Sequence, residues 1–407
     1  MPPDASAKRT VLKERGGIHS RRAPRPRAAR PIEERGGIHS RRAKNAISRK
    51  TTGKIEKLAQ GVLKTVANRK NPFLDIPVRS LANVSWSEKR RLVELGSQRQ
   101  KRYFFNVSMA RKFMQTFLVS DACKELIDSG KTTSIRDLYY IAKHTIGDTR
   151  QNTFEEQDES DPIIEDLEVT LDALREELHL FAARKGSMVG PITITDTGDT
   201  IDLRRMGSGG WAVPSIVEEN VITFRKHEAK YVLLIEKDAV WTRFNEDKFW
   251  KRNNCIIIQG GGQPPRGVRR LVQRLHSELK LPVYVLVDND PWGFYIYSVM
   301  KQGSINLAFE SMRMAVPDAR FVGLSSFDRD KYSIPTNVAI KMDDGDNNRA
   351  KQMLAYPWFK KAQWQREIQE MVRTGQKFEL EALSRRGISF ITEEYLPRKL
   401  RDRDWLE

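Results

Sequence analysis

Three carboxylates stand where short apolar runs end. Glu236 follows YVLLI (231–235), and Asp288 and Asp290 follow the run at 283–287, in VLVDNDPWG. An all-oxygen donor set suits a hard divalent cation, Mg2+ above others. Asp-x-Asp puts both side chains on one side of an extended backbone. Pro291 then stops the strand, and Gly293 allows backbone or ligand to come close. One acid at a strand end is ordinarily just solvated, whereas three at neighbouring strand ends are expected to converge. A second group is the pair Tyr139-Tyr140, inside SIRDLYYIAKH. Ile135, Leu138, Tyr139 and Ala142 recur at i, i+3, i+4 and i+7, so Tyr139 belongs to an apolar face. Neighbours on a helix lie ~100° apart, so Tyr140 leaves that face. At helical spacing it meets Arg136, Asp137, Lys143 and His144. A phenol of pKa ~10 is a weak nucleophile, but cations or a metal would favour its phenolate and steady a pentacovalent phosphorane. From pattern alone Tyr140 is either that nucleophile or a plain phosphate contact, and the neighbouring cations Lys143 and His144 are candidate DNA contacts.

The elements that must position these groups fall into two textures. Ile55, Leu58, Val62 and Val66 form a helical stripe, with order beginning near Ile55. Asn71-Pro72 and Ile76-Pro77 stop it. A helix is expected from Tyr103, broken at Ser120-Asp121, then a short helix over 122–128, a turn at Ser129-Gly130, and a helix from Ser134 to about Thr145 capped by Thr132 or Thr133. Three short helices with tight turns match a helix-turn-helix, whose third helix faces DNA phosphate. A hairpin is expected at Thr197-Gly198, between Ile192/Ile194 and Ile201/Leu203. Beyond Trp211 the texture becomes α/β, with strands at 231–235, 255–258 and 283–287. Each is a continuous apolar run, as parallel strands covered on both faces require. Val268, Leu271, Val272 and Leu275 mark an amphipathic helix between the last two. An open, mostly parallel sheet follows, with ligands outside its carboxyl edge.

Composition narrows the classes. The 407 residues carry 71 Lys+Arg against 53 Asp+Glu, a net +18, of which +11 lies in the first 50. A pI of 9.8 points to nucleic acid or another anionic surface. Two cysteines, Cys123 and Cys255, offer neither a disulfide scaffold nor a zinc cluster. No apolar run approaches the ~20 residues of a membrane span, and no apolar leader is seen, so a soluble intracellular chain is expected. ERGGIHSRRA occurs twice, at 14–23 and 34–43. Residues 1–52 read as a disordered basic arm, either a phosphate contact or an extension without an essential role. Gly130-Lys131-Thr132 is no Walker loop, since Glu125 stands where a glycine is required. Gly260-Gly261-Gly262 is read as an anion nest or a tight turn. No nucleotide site is visible.

Together these segments resemble the A subunit of DNA topoisomerase VI and its relative, the meiotic double-strand-break transesterase. The resemblance runs from about Asn71 to the C-terminus, through NPFLDIPVRS, SIRDLYYIAKH, LLIEKDAVWTRF, GQPPRGVRRL, VDNDPWG and FITEEYLPRKL. Bacterial primase and gyrase-type enzymes share the acidic trio but not the tyrosine segment. The resemblance implies an α/β multidomain chain, with a winged-helix (CAP-like helix-turn-helix) domain at 94–186 and a Toprim domain with a mostly parallel sheet at 187–407. Residues 53–93 would supply an N-terminal helix and connecting segment.

It also implies roles. Tyr140 matches the nucleophile and Arg136 the arginine that assists it. Glu236, Asp288 and Asp290 match the metal-binding acids, with Mg2+ as cofactor. Arg269 looks like the arginine of a Thr-Arg motif, with Val268 in place of the threonine, and is expected with Lys143 and His144 to bind DNA. The implied reaction is ATP-dependent cleavage of both strands through 5′-phosphotyrosyl links, followed by duplex passage and rejoining. The implied partners are double-stranded DNA, a second copy of the chain, and a GHKL-type ATPase B subunit that binds the ATP, in an A2B2 assembly with no membrane. A cytoplasmic, nucleoid-associated archaeal protein would follow. The rivals are a Toprim nuclease without a covalent intermediate, a break-making relative without strand passage, and a non-catalytic DNA scaffold.

Overall fold

A computed structural model of the protein describes residues 41–407, with side chains from 47 onward. The first ERGGIHSRRA copy and the arm up to residue 40 lie outside the described residues. Helix α1 (Arg41–Ala67) begins well before Ile55, so 41–52, expected as disordered arm, is helical. That stretch lacks a long apolar stripe, but Arg, Lys and Ala are strong helix formers. Ile55 is buried, and Leu58 and Val62 pack towards Leu74, Ile76 and Phe113. Val66 stays exposed.

Strand β1 (Phe73–Pro77) pairs antiparallel with β4 (Arg99–Tyr103), around a small hairpin of β2 (Val84–Ser87) and β3 (Leu92–Leu95). Next comes α2 (Val107–Ser129), one continuous helix where the sequence suggested two. The expected break fails because the Ser120 hydroxyl donates to the Thr116 carbonyl at 2.7 Å, satisfying itself inside the helix. Val119 and Cys123 then bury beside it. Gly130 closes the helix in the left-handed region, at φ 66°. Strand β5 (Thr133–Ser134), α3 (Ile135–Ala142), α4 (Ser160–Leu171) and β6 (Leu180–Phe181) complete this unit, with β5 and β6 parallel. Its core joins Val119, Leu138, Phe154, Ile164 and Leu167.

An all-β stretch follows: β7 (Ser187–Val189), β8 (Ile192–Asp196), β9 (Asp199–Asp202), β10 (Trp211–Ala212) and β11 (Ile222–His227). Strands β8 and β9 form the expected hairpin, with Thr197 and Gly198 both at positive φ.

The main α/β unit contains β12 (Tyr231–Ile235), α5 (Asp238–Glu246), α6 (Phe249–Arg252), β13 (Cys255–Gln259), α7 (Arg266–Leu279), β14 (Val283–Leu286), α8 (Pro291–Gln302), α9 (Ser311–Met314) and β15 (Arg320–Phe321). The sheet order is β10-β7-β13-β12-β14-β15. Strands β13, β12, β14 and β15 are parallel, while β7 and β10 add an antiparallel edge. Residues of α5 and α6 pack on one face, with Leu233, Ile235 and Ile257. Those of α7 pack on the other, with Val232, Leu234, Ile256 and Ile258. From β12 the chain moves to β13 on one side and then crosses to β14 on the other. The carboxyl ends of β12 and β14 therefore flank a topological switch point.

The remainder folds over this sheet as α10 (Asp328–Lys331), β16 (Ile340–Lys341), α11 (Asp344–Ala355), α12 (Ala362–Thr374), β17 (Gln376–Lys377) and α13 (Leu396–Asp402). Among the described residues no helix is long and apolar enough to cross a membrane.

Candidate active site

The acid centre is built on the switch point. The N–H of Glu236 donates to the Leu286 carbonyl of β14 at 3.1 Å, and its own carbonyl accepts from Gly262 N–H at 3.0 Å. The triple glycine is thus a tight turn. Gly260 and Gly262 spend their N–H groups on the Ile235 and Glu236 carbonyls, which leaves little of an anion nest. Asp288 N–H donates to Glu236 Oε2 at 3.3 Å. Asp290 caps α8 by accepting from Gly293 N–H. A Cβ at Gly293 would stand 2.6 Å from the Asp288 carbonyl oxygen, so only glycine fits there. Between the two aspartates, Asn289 is held by the Leu324 carbonyl and Ser326 Oγ.

Electrostatics mark this cluster out. Burial, then the charges of Asp288 and Asp290, push the Glu236 carboxyl up to about 8. Burial pushes Asp288 up to about 6 against the pull of Lys237 and the Leu380 N–H, and raises Asp290 as well. Crowded, desolvated carboxylates favour protons or cations, and with oxygen-only donors they fit a divalent metal. Among the described residues no group of three or more His, Cys, Asp or Glu is placed to hold a metal ion as it stands. The expected convergence is therefore partial.

Helix α3 presents the tyrosines. Ser134 caps it, its Oγ accepting from Asp137 N–H at 3.0 Å. Leu138, Tyr139 and Ala142 are buried, while Tyr140 is 60% exposed. The Tyr139 hydroxyl donates to the Glu155 carbonyl at 2.8 Å and is tied into the core. The two rings lie edge to face, 4.9 Å apart. Arg136 is exposed one turn before Tyr140 and pairs with no carboxylate among the described residues. No hydrogen bond or ion pair among the described residues joins α3 to the acid centre.

Three expected DNA contacts sit differently. Helix α3 ends at Ala142, a turn short of Thr145, so Lys143 and His144 are not one turn above Tyr140. Lys143 folds back, its Nζ donating to the Tyr139 hydroxyl at 2.8 Å and the Glu155 carbonyl at 3.0 Å. The first of these bonds holds its ammonium above the usual lysine value. His144 keeps an exposed side chain, while its N–H donates to Thr153 Oγ1. Arg269 is 2% exposed, enclosed near Glu310, Arg266 and Tyr295. Burial pulls its guanidinium down to about 10, and among the described residues its Nε and Nη2 have no hydrogen-bond partner.

The sequence reading missed the groups that close over the acids. Lys237 Nζ sits 2.8 Å from Asp288 Oδ2, 3.2 Å from Glu379 and 3.0 Å from Glu381. Leu380 N–H donates to Asp288 Oδ1 at 2.8 Å. A lysine directly after Glu236 was the one local signal. The C-terminal groups, about ninety residues from Asp288, gave none.

Three family models match consecutive stretches. That of type IIB DNA topoisomerase covers 111–180, that of the all-beta domain in the DNA topoisomerase VI alpha subunit covers 185–228, and that of the Toprim domain shared by the topoisomerase 6 A subunit and Spo11 covers 231–400. The Toprim match thus starts at β12, and the stretch expected to open that domain at 187 matches the all-β model instead. The chain is 45% identical over 363 residues to the A subunit of type 2 DNA topoisomerase 6 from Pyrococcus horikoshii, covering 87% of this chain and 94% of that one. Identity is 41% to the Hyperthermus butylicus protein of the same name, covering 85% and 93%. It is 35% to the A subunit of DNA topoisomerase 6 from Arabidopsis thaliana, covering 81% and 75%.

Proposed function

The chain belongs to the family of the A subunit of type 2 DNA topoisomerase 6, the catalytic subunit of type IIB topoisomerases, and from that premise we propose that Tyr140 is its nucleophile. The observation that carries this is the split within the pair: Tyr139 is locked in the core by its hydroxyl, while Tyr140 stands out on a capped helix. The Tyr140 oxygen attacks a backbone phosphate, its bond to phosphorus forms, and the bond from phosphorus to the 3′ oxygen breaks. The phenolic proton is lost and the 3′ oxygen gains one. The 5′-phosphotyrosyl link keeps the energy of the broken bond, so the reverse attack reseals the strand without a ligase. Arg136, exposed one turn earlier, is suited to pair with the attacked phosphate.

Glu236, Asp288 and Asp290 would hold a divalent cation, Mg2+ in this reading, which supplies charge neutralisation at the phosphate and the departing oxygen. The separation of α3 from the acid centre supports a site shared between two protomers, the tyrosine of one meeting the acids of the other. Two such sites would cut both strands. The long helix α2, the short helix α3 and the β5–β6 pair support reading 94–186 as a winged-helix domain on double-stranded DNA. Duplex passage needs gating energy, and Gly130 is a helix cap rather than part of a phosphate loop. That supports a separate GHKL-type ATPase B subunit in an A2B2 assembly.

The test uses the full chain with such a partner, supercoiled DNA, Mg2+ and a non-hydrolysable ATP analogue, quenched with denaturant. Protein attached to 5′ ends in wild type and absent in Tyr140→Phe is expected. Free breaks without an adduct would instead support a nuclease.

A further inference from the structure

Both oxygens of Asp288 are already occupied. Oδ2 lies 2.8 Å from the Lys237 ammonium, and Oδ1 accepts from Leu380 N–H at 2.8 Å. The occupiers are themselves linked, because Lys237 also reaches Glu379 at 3.2 Å and Glu381 at 3.0 Å, on either side of Leu380. The segment carrying those acids is fixed beside the centre. Phe378 and Asn289 exchange both backbone hydrogen bonds at 2.9 Å, and β17 pairs with β16. Asp288 is nearly fully buried, whereas the side chains of Glu379 and Glu381 are about half exposed. Lys237 therefore has a solvated pair of acids within reach of its present position.

An ammonium and a divalent cation compete for the same carboxylate lone pairs and repel each other at short range. We propose that Lys237 is a positioning residue, an internal counter-cation that sits on Asp288 and transfers to Glu379 and Glu381 when a divalent cation takes that carboxylate. Lys237 keeps the acid centre assembled before the metal arrives. Glu379 and Glu381 lower the cost of its release. The inference rests on the reading that Glu236, Asp288 and Asp290 hold the cation.

Removing the lysine deletes a competitor, and removing the receiving acids strands it on Asp288. The two changes thus have opposite effects on metal affinity, although neither touches the trio. Loss of local order alone would weaken binding in both. A through-space charge effect would give the same two signs, but it would be additive when the changes are combined. Transfer is not additive, because without Lys237 the acids have nothing to receive.

The experiment titrates the full-length chain, without DNA, with Mg2+ by calorimetry and with Mn2+ by paramagnetic resonance. Thermal melting in chelator checks that each variant is folded. Lys237→Met is expected to bind about fivefold or more tightly, and Glu379→Gln/Glu381→Gln about fivefold more weakly. In the triple variant the glutamine changes should shift affinity less than about twofold from Lys237→Met. Lys237→Gln replaces the Met variant if that one does not fold. Unchanged or weaker binding in the lysine variant, or full additivity in the triple variant, overturns the transfer. If wild type and Asp288→Ala bind alike, the metal reading of the trio fails, and the transfer with it.

Discussion

Glu236 bears the heaviest electrostatic load of the acid centre, its carboxyl lifted from 4.5 to about 8 by burial and by Asp288 and Asp290. A carboxyl raised on folding contributes stability that is full below the unfolded value and is lost as pH rises through the folded one. Metal-free wild type should therefore lose stability between roughly pH 4.5 and 8, by at least about 1 kcal/mol from this group. Glu236→Gln should remove that slope and melt higher than wild type at pH 8.5 in chelator. Identical pH profiles for the two proteins would refute the assignment. Metal affinity should climb over the same window in wild type, as the competing proton leaves. The position of the three acids just beyond strand ends was legible in the sequence. The surroundings of Lys143 and Arg269 were not, because a cation's partners depend on where its helix stops and which face packs, and single-residue spacing resolves neither.

At the scale of an element, α3 spans eight residues, too few to hold as an isolated helix. Its order rests on the buried face and on the Ser134 cap, which works in both directions: Oγ accepts from Asp137 N–H at 3.0 Å, and the hydroxyl donates to Asp137 Oδ2 at 2.8 Å. Ser134→Ala should cost about 1 kcal/mol in denaturant unfolding and cut the Tyr140 adduct yield several-fold. Ser134→Thr, whose hydroxyl can make both bonds, should restore most of both. If the alanine variant is as stable and as active as wild type, the cap does not order α3. The apolar face of this helix was readable in the sequence, but its end was not. Nor was the continuity of α2, where the Ser120 hydroxyl bonds within the helix it was expected to break.

Across the whole molecule, buried ion pairs join the tyrosine-bearing unit to the α/β unit. Arg266 of α7 lies 2.6 Å from Glu168 of α4 and 2.8 Å from Glu310. Arg313 of α9 pairs with Glu176, Glu218 and Glu310. Within the tyrosine-bearing unit, Arg79 and Arg102 both reach Asp166 on α4. Glu168 has no exposed side-chain surface, so removing Arg266 leaves this buried carboxylate only the more distant Arg175, at 3.9 Å. Arg266→Ala should destabilise the protein by about 3–5 kcal/mol in denaturant unfolding. A loss below about 1 kcal/mol would mean that the two units are held by apolar packing instead. If the site is shared between two protomers as proposed, these pairs would make the tyrosine and the acids of one protomer move together.

By itself the sequence determined what depends on neighbours a few residues apart. Periodicity fixed β12, β13 and β14 to within a residue, located α7 without its ends, turned Tyr139 inward and Tyr140 outward, and set Glu236, Asp288 and Asp290 at strand ends. Only the tertiary structure decided what surrounds those groups: Leu380 on Asp288, Glu381 on Lys237, Arg269 in the interior, and Arg266 against Glu168. The Leu380–Asp288 and Arg266–Glu168 contacts join residues 92 and 98 positions apart. A strand or helix imposes a repeat on its own side chains, but nothing local records which distant carboxylate or amide will be brought against them once the sheet is covered.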